Sequence, residues 1–155
     1  NAKQTQTSGW GAGMTSSVIG LKAGSTTVAT ENHIAYCFAE VEGYSAFGSY
    51  TGNGSSDGPF VYTGFRPAFV IIKKATGTVN ANAGWILKDA TRDIDNVVSA
   101  TLQAESAGAE YTSSTEDFLS NGFKIRTNNI GQNTSGDEYI YMAFAENPFK
   151  NANAR

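Results

Sequence analysis

Short runs of alternating apolar and polar residues recur along this chain, separated by gaps rich in Gly, Asn and Ser. Alternation with period two marks a half-buried strand. Residues 47–74 carry the densest set and read as three strands with two turns between them. Gly52-Asn53-Gly54 can supply the positive φ values of a tight turn, and Pro59 closes that loop. Gly64-Phe65-Arg66-Pro67 makes the second turn, because Pro67 lacks an N–H and holds Arg66 towards extended geometry. Ala68-Phe69-Val70-Ile71-Ile72 is apolar on both faces, so it is expected at the centre of the core. Lys73-Lys74 is expected to end that strand at the surface.

Further strands are expected at 18–21, 33–41, 85–88, 97–102, 123–126 and 139–145. In 33–41, Ile34, Tyr36 and Phe38 alternate on one face. Residues 111–118 read as extended or irregular, and Asn121-Gly122 as a turn. Residues 103–109 could form one helical turn, but Gly108 and the lack of an apolar period argue for loop. No segment has a convincing helical period. The expected fold is all-β, an antiparallel β-sandwich.

Two stretches repeat. Ile34-Ala35-Tyr36-Cys37-Phe38-Ala39-Glu40 aligns with Ile140-Tyr141-Met142-Ala143-Phe144-Ala145-Glu146, sharing Ile, Phe, Ala and Glu at four places. Each copy follows a short strand and a Gly/Ser/Thr/Asn loop. Residues 1–17 then read as a flexible arm or linker, with Trp10 a possible anchor on a neighbour. Residues 18–43 read as the back half of a preceding repeat, or as strands that complete the sandwich. Residues 44–147 read as a complete repeat, and 148–155 as a tail.

Composition narrows the function. The 155 residues carry a net charge of −3 and a pI near 5.1, so there is no electrostatic footprint for nucleic acid or an anionic membrane. No apolar run is long enough for a membrane-spanning helix. Seventeen glycines and three prolines suit a β-protein with many turns. The single cysteine, Cys37, excludes an internal disulfide and reads as a buried, inert thiol in an apolar strand. His33, the only histidine, is four residues away, roughly 13 Å along a strand, too far for a catalytic pair.

Candidate chemistry is sparse. Asp89, Asp93, Asp95 and Asn96 form the one dense acidic loop and offer the hard oxygens that Ca²⁺ takes. Ile94 stands where a calcium loop places its hinge glycine, so the competing reading is a solvated turn whose Asp residues cap backbone N–H groups. Tyr111 and Trp85 lie outside the strongest periodic runs. With Asp93 and Asn96 they form the candidate ligand site, aromatic faces for sugar C–H surfaces and polar groups for hydroxyls. Core or interface packing is the competing reading. Glu105, Glu110, Glu116 and Asp117 could supply paired carboxylates for glycan cleavage, but nothing singles out a pair. Asn53-Gly54-Ser55 and Asn133-Thr134-Ser135 match glycosylation sequons, a pattern common by chance in Asn/Ser-rich loops. No catalytic residue and no cofactor are expected, Ca²⁺ at the acidic loop being the one alternative.

Four longer phrases carry a resemblance: Tyr36-Cys37-Phe38-Ala39-Glu40-Val41-Glu42-Gly43-Tyr44, Phe47-Gly48-Ser49-Tyr50-Thr51-Gly52-Asn53-Gly54, Gly64-Phe65-Arg66-Pro67-Ala68-Phe69-Val70-Ile71-Ile72-Lys73 and Tyr139-Ile140-Tyr141-Met142-Ala143-Phe144-Ala145-Glu146. Their order and spacing over residues 18–155 resemble a tandem-repeat domain of tail-fibre and other virion structural proteins of tailed, especially marine, bacteriophages. The resemblance implies a jelly-roll or concanavalin-like sandwich at the C-terminal end of a longer chain. It implies a non-enzymatic structural and host-recognition role on an external virion appendage. The implied partners are other virion proteins and copies of the chain itself, commonly as a trimer, with host-surface glycan as the ligand. A carbohydrate-binding, lectin-like module and a glycan-cleaving depolymerase are the alternatives.

Overall fold

The computed structural model describes Thr15, Asn32 and residues 34–78 and 83–146. The expected strand at 18–21, Trp10 and the arm at 1–17, His33 and the tail at 148–155 lie outside the described residues. The chain divides between Phe38 and Ala39. Among the described residues there are eight strands, all after Ala39: β1 Ser45–Thr51, β2 Phe60–Tyr62, β3 Pro67–Lys74, β4 Trp85–Asp89, β5 Leu102–Gln103, β6 Glu116–Leu119, β7 Gly122–Ile125 and β8 Glu138–Ala145.

The strands form two antiparallel sheets, one of five strands in the order β1-β8-β3-β4-β5 and one of three in the order β2-β7-β6. The fold is therefore all-β, as the alternation predicts. β3 lies in the middle of the larger sheet. Its Val70 and Ile72 are fully buried, while Phe69 and Ile71 on the opposite face are half-buried. Pairing of β3 with β8 shifts register between Pro67 and Phe69, where the proline has no N–H to give the ladder. Gly54 and Gly64 take φ of 73° and 83°, so both expected turns use glycine in the left-handed region.

Val70, Ile72, Tyr139 and Ala143 of the larger sheet meet Val61, Phe118, Phe123 and Ile125 of the smaller one. Tyr50 stacks on Tyr139 at 5.2 Å and meets Phe123 edge-on at 6.3 Å. The two tyrosine hydroxyls are also paired. Tyr50 donates to the Gln132 carbonyl at 2.8 Å, and Tyr139 donates to the Ile130 carbonyl at 2.9 Å. The rings thus anchor the 127–137 connection to the core, since a buried hydroxyl needs a partner.

Three expectations fail, each for a physical reason. Residues 34–40 form no strand, and Ile34 and Tyr36 are about 80 % exposed. The matching pattern at 140–146 forms most of β8 because β1 and β3 flank it on both sides. Among the described residues, the earlier copy joins no β-ladder, and a single bridge, Val41–Ser45, follows it. Alternation alone does not make a strand without a neighbour to accept its hydrogen bonds. Cys37 in that stretch is exposed rather than buried. Lys73 and Lys74 do not end β3 at the surface; both are buried. Lys74 pairs with Asp137 at 2.7 Å, and Lys73 donates to the Ala83 carbonyl at 3.0 Å.

The expected strand at 97–102 shrinks to bridges at Val98 and Thr101 and the start of β5. Conversely, 116–119 is a strand, β6, at the end of a stretch read as extended or irregular. Its inward residues are Glu116 and Phe118. A charged side chain at an inward position disguises the alternation.

Candidate functional site

The acidic loop follows β4 and is built by its own carboxylates. Asp89 accepts from the backbone N–H groups of Thr91 and Arg92 and pairs with the Arg92 guanidinium at 2.5 Å. Partial burial works against ionisation of Asp89, but these bonds outweigh it and hold the carboxyl below its usual range. Arg92 reaches on to Glu110 at 2.6 Å. Asp93 accepts from the N–H groups of Ala100 and Ser99, each at 2.5 Å, and those bonds lower its pKa. Asn96 imitates a strand partner. Its Oδ1 accepts from Phe118 N–H at 2.8 Å and its Nδ2 donates to the Phe118 carbonyl at 3.0 Å.

In this arrangement two of the three carboxylates read as calcium ligands are taken up by backbone N–H groups. Asp89 and Asp93 serve separate backbone groups, and Asp95, two residues beyond Asp93, is exposed. No group of three His, Cys, Asp or Glu residues is gathered for a metal among the described residues. Asp89 and Asp93 cap backbone N–H groups, as in the solvated-turn reading.

The four residues expected to form a ligand site are likewise built into the framework. Asp93 and Asn96 bind backbone as above. Tyr111 is half-buried, its backbone pairs both ways with Thr101, and burial lifts its hydroxyl above the usual pKa. Trp85 is 37 % exposed; its backbone N–H donates to the Glu105 carboxylate at 2.9 Å, and the Lys73 ammonium lies 5.8 Å from its ring. Nor do the acids considered for glycan cleavage pair up. Glu105 holds Trp85, Glu110 holds Arg92, Glu116 is interior, and Asp117 lies towards Arg126 on the other face of β6. The Asn133 sequon is closed too. Asn133 is fully buried, and its amide donates to Asn53 Oδ1, the Ser55 carbonyl and the Thr127 carbonyl.

Inside the sandwich is a polar group that hydropathy does not reveal. Lys88 is fully buried on β4. Its three N–H bonds go to the Ser99 carbonyl at 2.9 Å, Thr101 Oγ1 at 2.5 Å and the Ser114 carbonyl at 2.5 Å. Burial lowers its pKa, while Glu116 and Asp93 pull the other way. Glu116 is fully buried, and burial raises its pKa to about 7 against the opposing pull of Lys88 and Gln132. Such a value suits general acid–base work. With no exposed surface, however, Glu116 meets no substrate, and the group is structural.

The open site lies elsewhere, where the segment leading into β1 faces the turn after β2. A cleft of about 360 Å³ is lined by Glu40, Glu42, Ser45, Tyr62, Thr63 and Gly64. That volume falls in the range of small-ligand pockets. Tyr62 is 67 % exposed at the end of β2. Glu40 Oε1 accepts from Phe47 N–H at 3.1 Å, which fixes the carboxylate. The hydroxyls of Ser45 and Thr63 donate to the carbonyls of Ala39 and Phe65. Sequence reasoning missed this site because Glu40 and Glu42 close an apolar run and Tyr62 alternates like a core residue; the one available signal was that β2 is too short to bury both of its faces.

No curated protein and no solved structure matches the chain. A family match covers residues 1–148, taking in the N-terminal segment together with all eight strands. The chain belongs to the family described as a domain of unknown function, DUF7483.

Proposed function

We propose that the chain is a non-enzymatic structural and adhesion module of a bacteriophage virion appendage, a tail fibre or similar, which meets the host surface. One observation carries this reading beyond the resemblance itself. Three of the four phrases that resemble the phage repeat supply β1, β3 and β8, strands side by side in the larger sheet, so the resemblance rests largely on one sheet. A rigid sheet carrying variable loops suits a recognition module. The finer fold in this reading is a jelly-roll or concanavalin-like sandwich. Its partners are other virion proteins and copies of itself in a trimer.

The separate partners of Glu105, Glu110, Glu116 and Asp117 favour recognition over a depolymerase. Immunogold electron microscopy tests the proposal, with antibody against this chain applied to particles purified from the culture that yields it. Gold at the distal appendages supports it. Particles that carry no gold while the lysate reacts would end it.

A further inference from the structure

We propose that Asn121, in the turn between β6 and β7, is a site of spontaneous covalent modification, where the carboxamide closes on the Gly122 amide and is converted by water to aspartate or isoaspartate. The inference is independent of the adhesion reading and stands whether or not the chain belongs to a virion.

Two Asn-Gly pairs occur in the chain, Asn53-Gly54 and Asn121-Gly122. Asparagine is a chemically labile residue, and a following glycine makes it more so, because no side chain hinders ring closure. The fold treats the two pairs differently. Asn53 is fastened on every side. Its Oδ1 accepts from Ser55 N–H and from Asn133 Nδ2, each at 3.0 Å, and its Nδ2 donates to the Asp57 carbonyl at 3.0 Å. The Gly54 N–H, which would supply the attacking nitrogen, donates to the Asn133 carbonyl at 3.0 Å. Asn133 itself is fully buried.

Asn121 is exposed, and its carboxamide has no hydrogen-bond partner among the described residues. Leu119 and Gly122 pair across the turn, so Ser120 and Asn121 form a two-residue hairpin connection. Such an end opens more readily than the middle of a ladder. Packing holds position 122 to glycine, since a Cβ there would run into the Val61 carbonyl and the Phe60 ring. The core's need for a bare position beside β2 thus sets the least hindered neighbour next to an unsecured asparagine.

The step needs only water and hydroxide. Hydroxide removes the Gly122 amide proton, and the nitrogen attacks Asn121 Cγ. The N–Cγ bond forms and the Cγ–Nδ2 bond breaks. Nδ2 leaves as ammonia, taking a proton from water and restoring the hydroxide; nothing is oxidised or reduced. Water then opens the cyclic imide. Attack at Cγ gives aspartate in an unaltered backbone. Attack at the other carbonyl routes the backbone through Cγ and frees the α-carboxylate, which is the isoaspartate product. That freed group is the former peptide carbonyl of Asn121, which accepts from Thr63 N–H at 3.0 Å and Gly64 N–H at 3.2 Å. Both residues line the open cleft. Either product adds a negative charge, and the isoaspartate also replaces the group that anchors this wall of the cleft.

Peptide mapping by mass spectrometry on the whole chain, held at pH 8 and 37 °C for four weeks, tests this. Asn121 is expected to lose its amide at least tenfold faster than Asn53. In urea the two rates should converge, since both pairs then lose their surroundings. The Thr63 and Gly64 amide signals in ¹H–¹⁵N spectra of the folded chain should shift in step with the conversion. Asn121→Gln should abolish both the mass change and the shift. The proposal is overturned if folded Asn121 keeps its amide, if folded Asn53 converts as fast, or if the gap survives in urea.

Discussion

Gln132 Nε2 donates to Glu116 Oε1 inside the sandwich, where neither side chain reaches solvent. The outer atoms of the pair, Glu116 Oε2 and Gln132 Oε1, have no hydrogen-bond partner among the described residues. An ionised carboxylate with an unsatisfied oxygen is costly in such a place, and a protonated one much less so.

Stability should therefore depend on pH through Glu116. Its folded pKa of about 7 lies above the ordinary 4.5, so the folded chain holds the proton more tightly than the unfolded chain. The stabilisation from that proton is present in full below about pH 4.5 and is lost as pH rises through 7. The difference is about 3 kcal/mol. Urea unfolding at pH 5 and pH 8 should show it, and Glu116→Gln should flatten the profile. Asp89 and Asp93, whose pKa values are lowered, act in the opposite sense, but below that window.

Lys88→Met should cost about 3–5 kcal/mol, the range for removing one member of a buried charged network. The substitution leaves the Ser99 and Ser114 carbonyls without the ammonium that joins them. Chemical denaturation gives the magnitude. Hydrogen exchange should show residues 97–101 losing protection first.

Asp93→Ala should destabilise the chain by about 1–3 kcal/mol, since it removes the acceptor of two backbone N–H groups. Millimolar Ca²⁺ should leave the melting temperature of the wild-type chain unchanged. A calcium-dependent rise abolished by Asp93→Ala would instead restore the metal reading of this loop.

Gly122→Ala should damage folding more than a surface glycine substitution would. A Cβ there would run into the Val61 carbonyl and touch the Phe60 ring. Thermal unfolding should fall by several degrees, because the Phe60 ring would lose its seat.

The larger sheet was legible because Val70, Ile72, Tyr139 and Ala143 are apolar residues doing apolar work at period two. β6 was not, because Glu116 occupies an inward position that a polar residue normally avoids. Lys73 and Lys74 misled in the same way: their charge reads as surface, whereas the Ala83 carbonyl and Asp137 accommodate it inside. Residues 34–40 failed from the other direction, as an apolar pattern with no flanking strand among the described residues. In the acidic loop, Asp93 and Asn96 are of the residue types expected of ligand contacts. Which oxygens already served the backbone is a matter of tertiary distance, and no spacing along the chain discloses it.

The side chains that fasten residues 89–118 bear on how this family's evolutionary record should be read. Asp89, Lys88, Asp93 and Asn96 do the work of a ladder with polar atoms. Selection would guard them as closely as it guards a core leucine. Across related sequences they would stand out as invariant acids, an amide and a lysine crowded into one loop, the signature usually taken for an active centre. In this family such invariance would be the imprint of architecture, and traces of ligand choice should be sought among the more changeable positions.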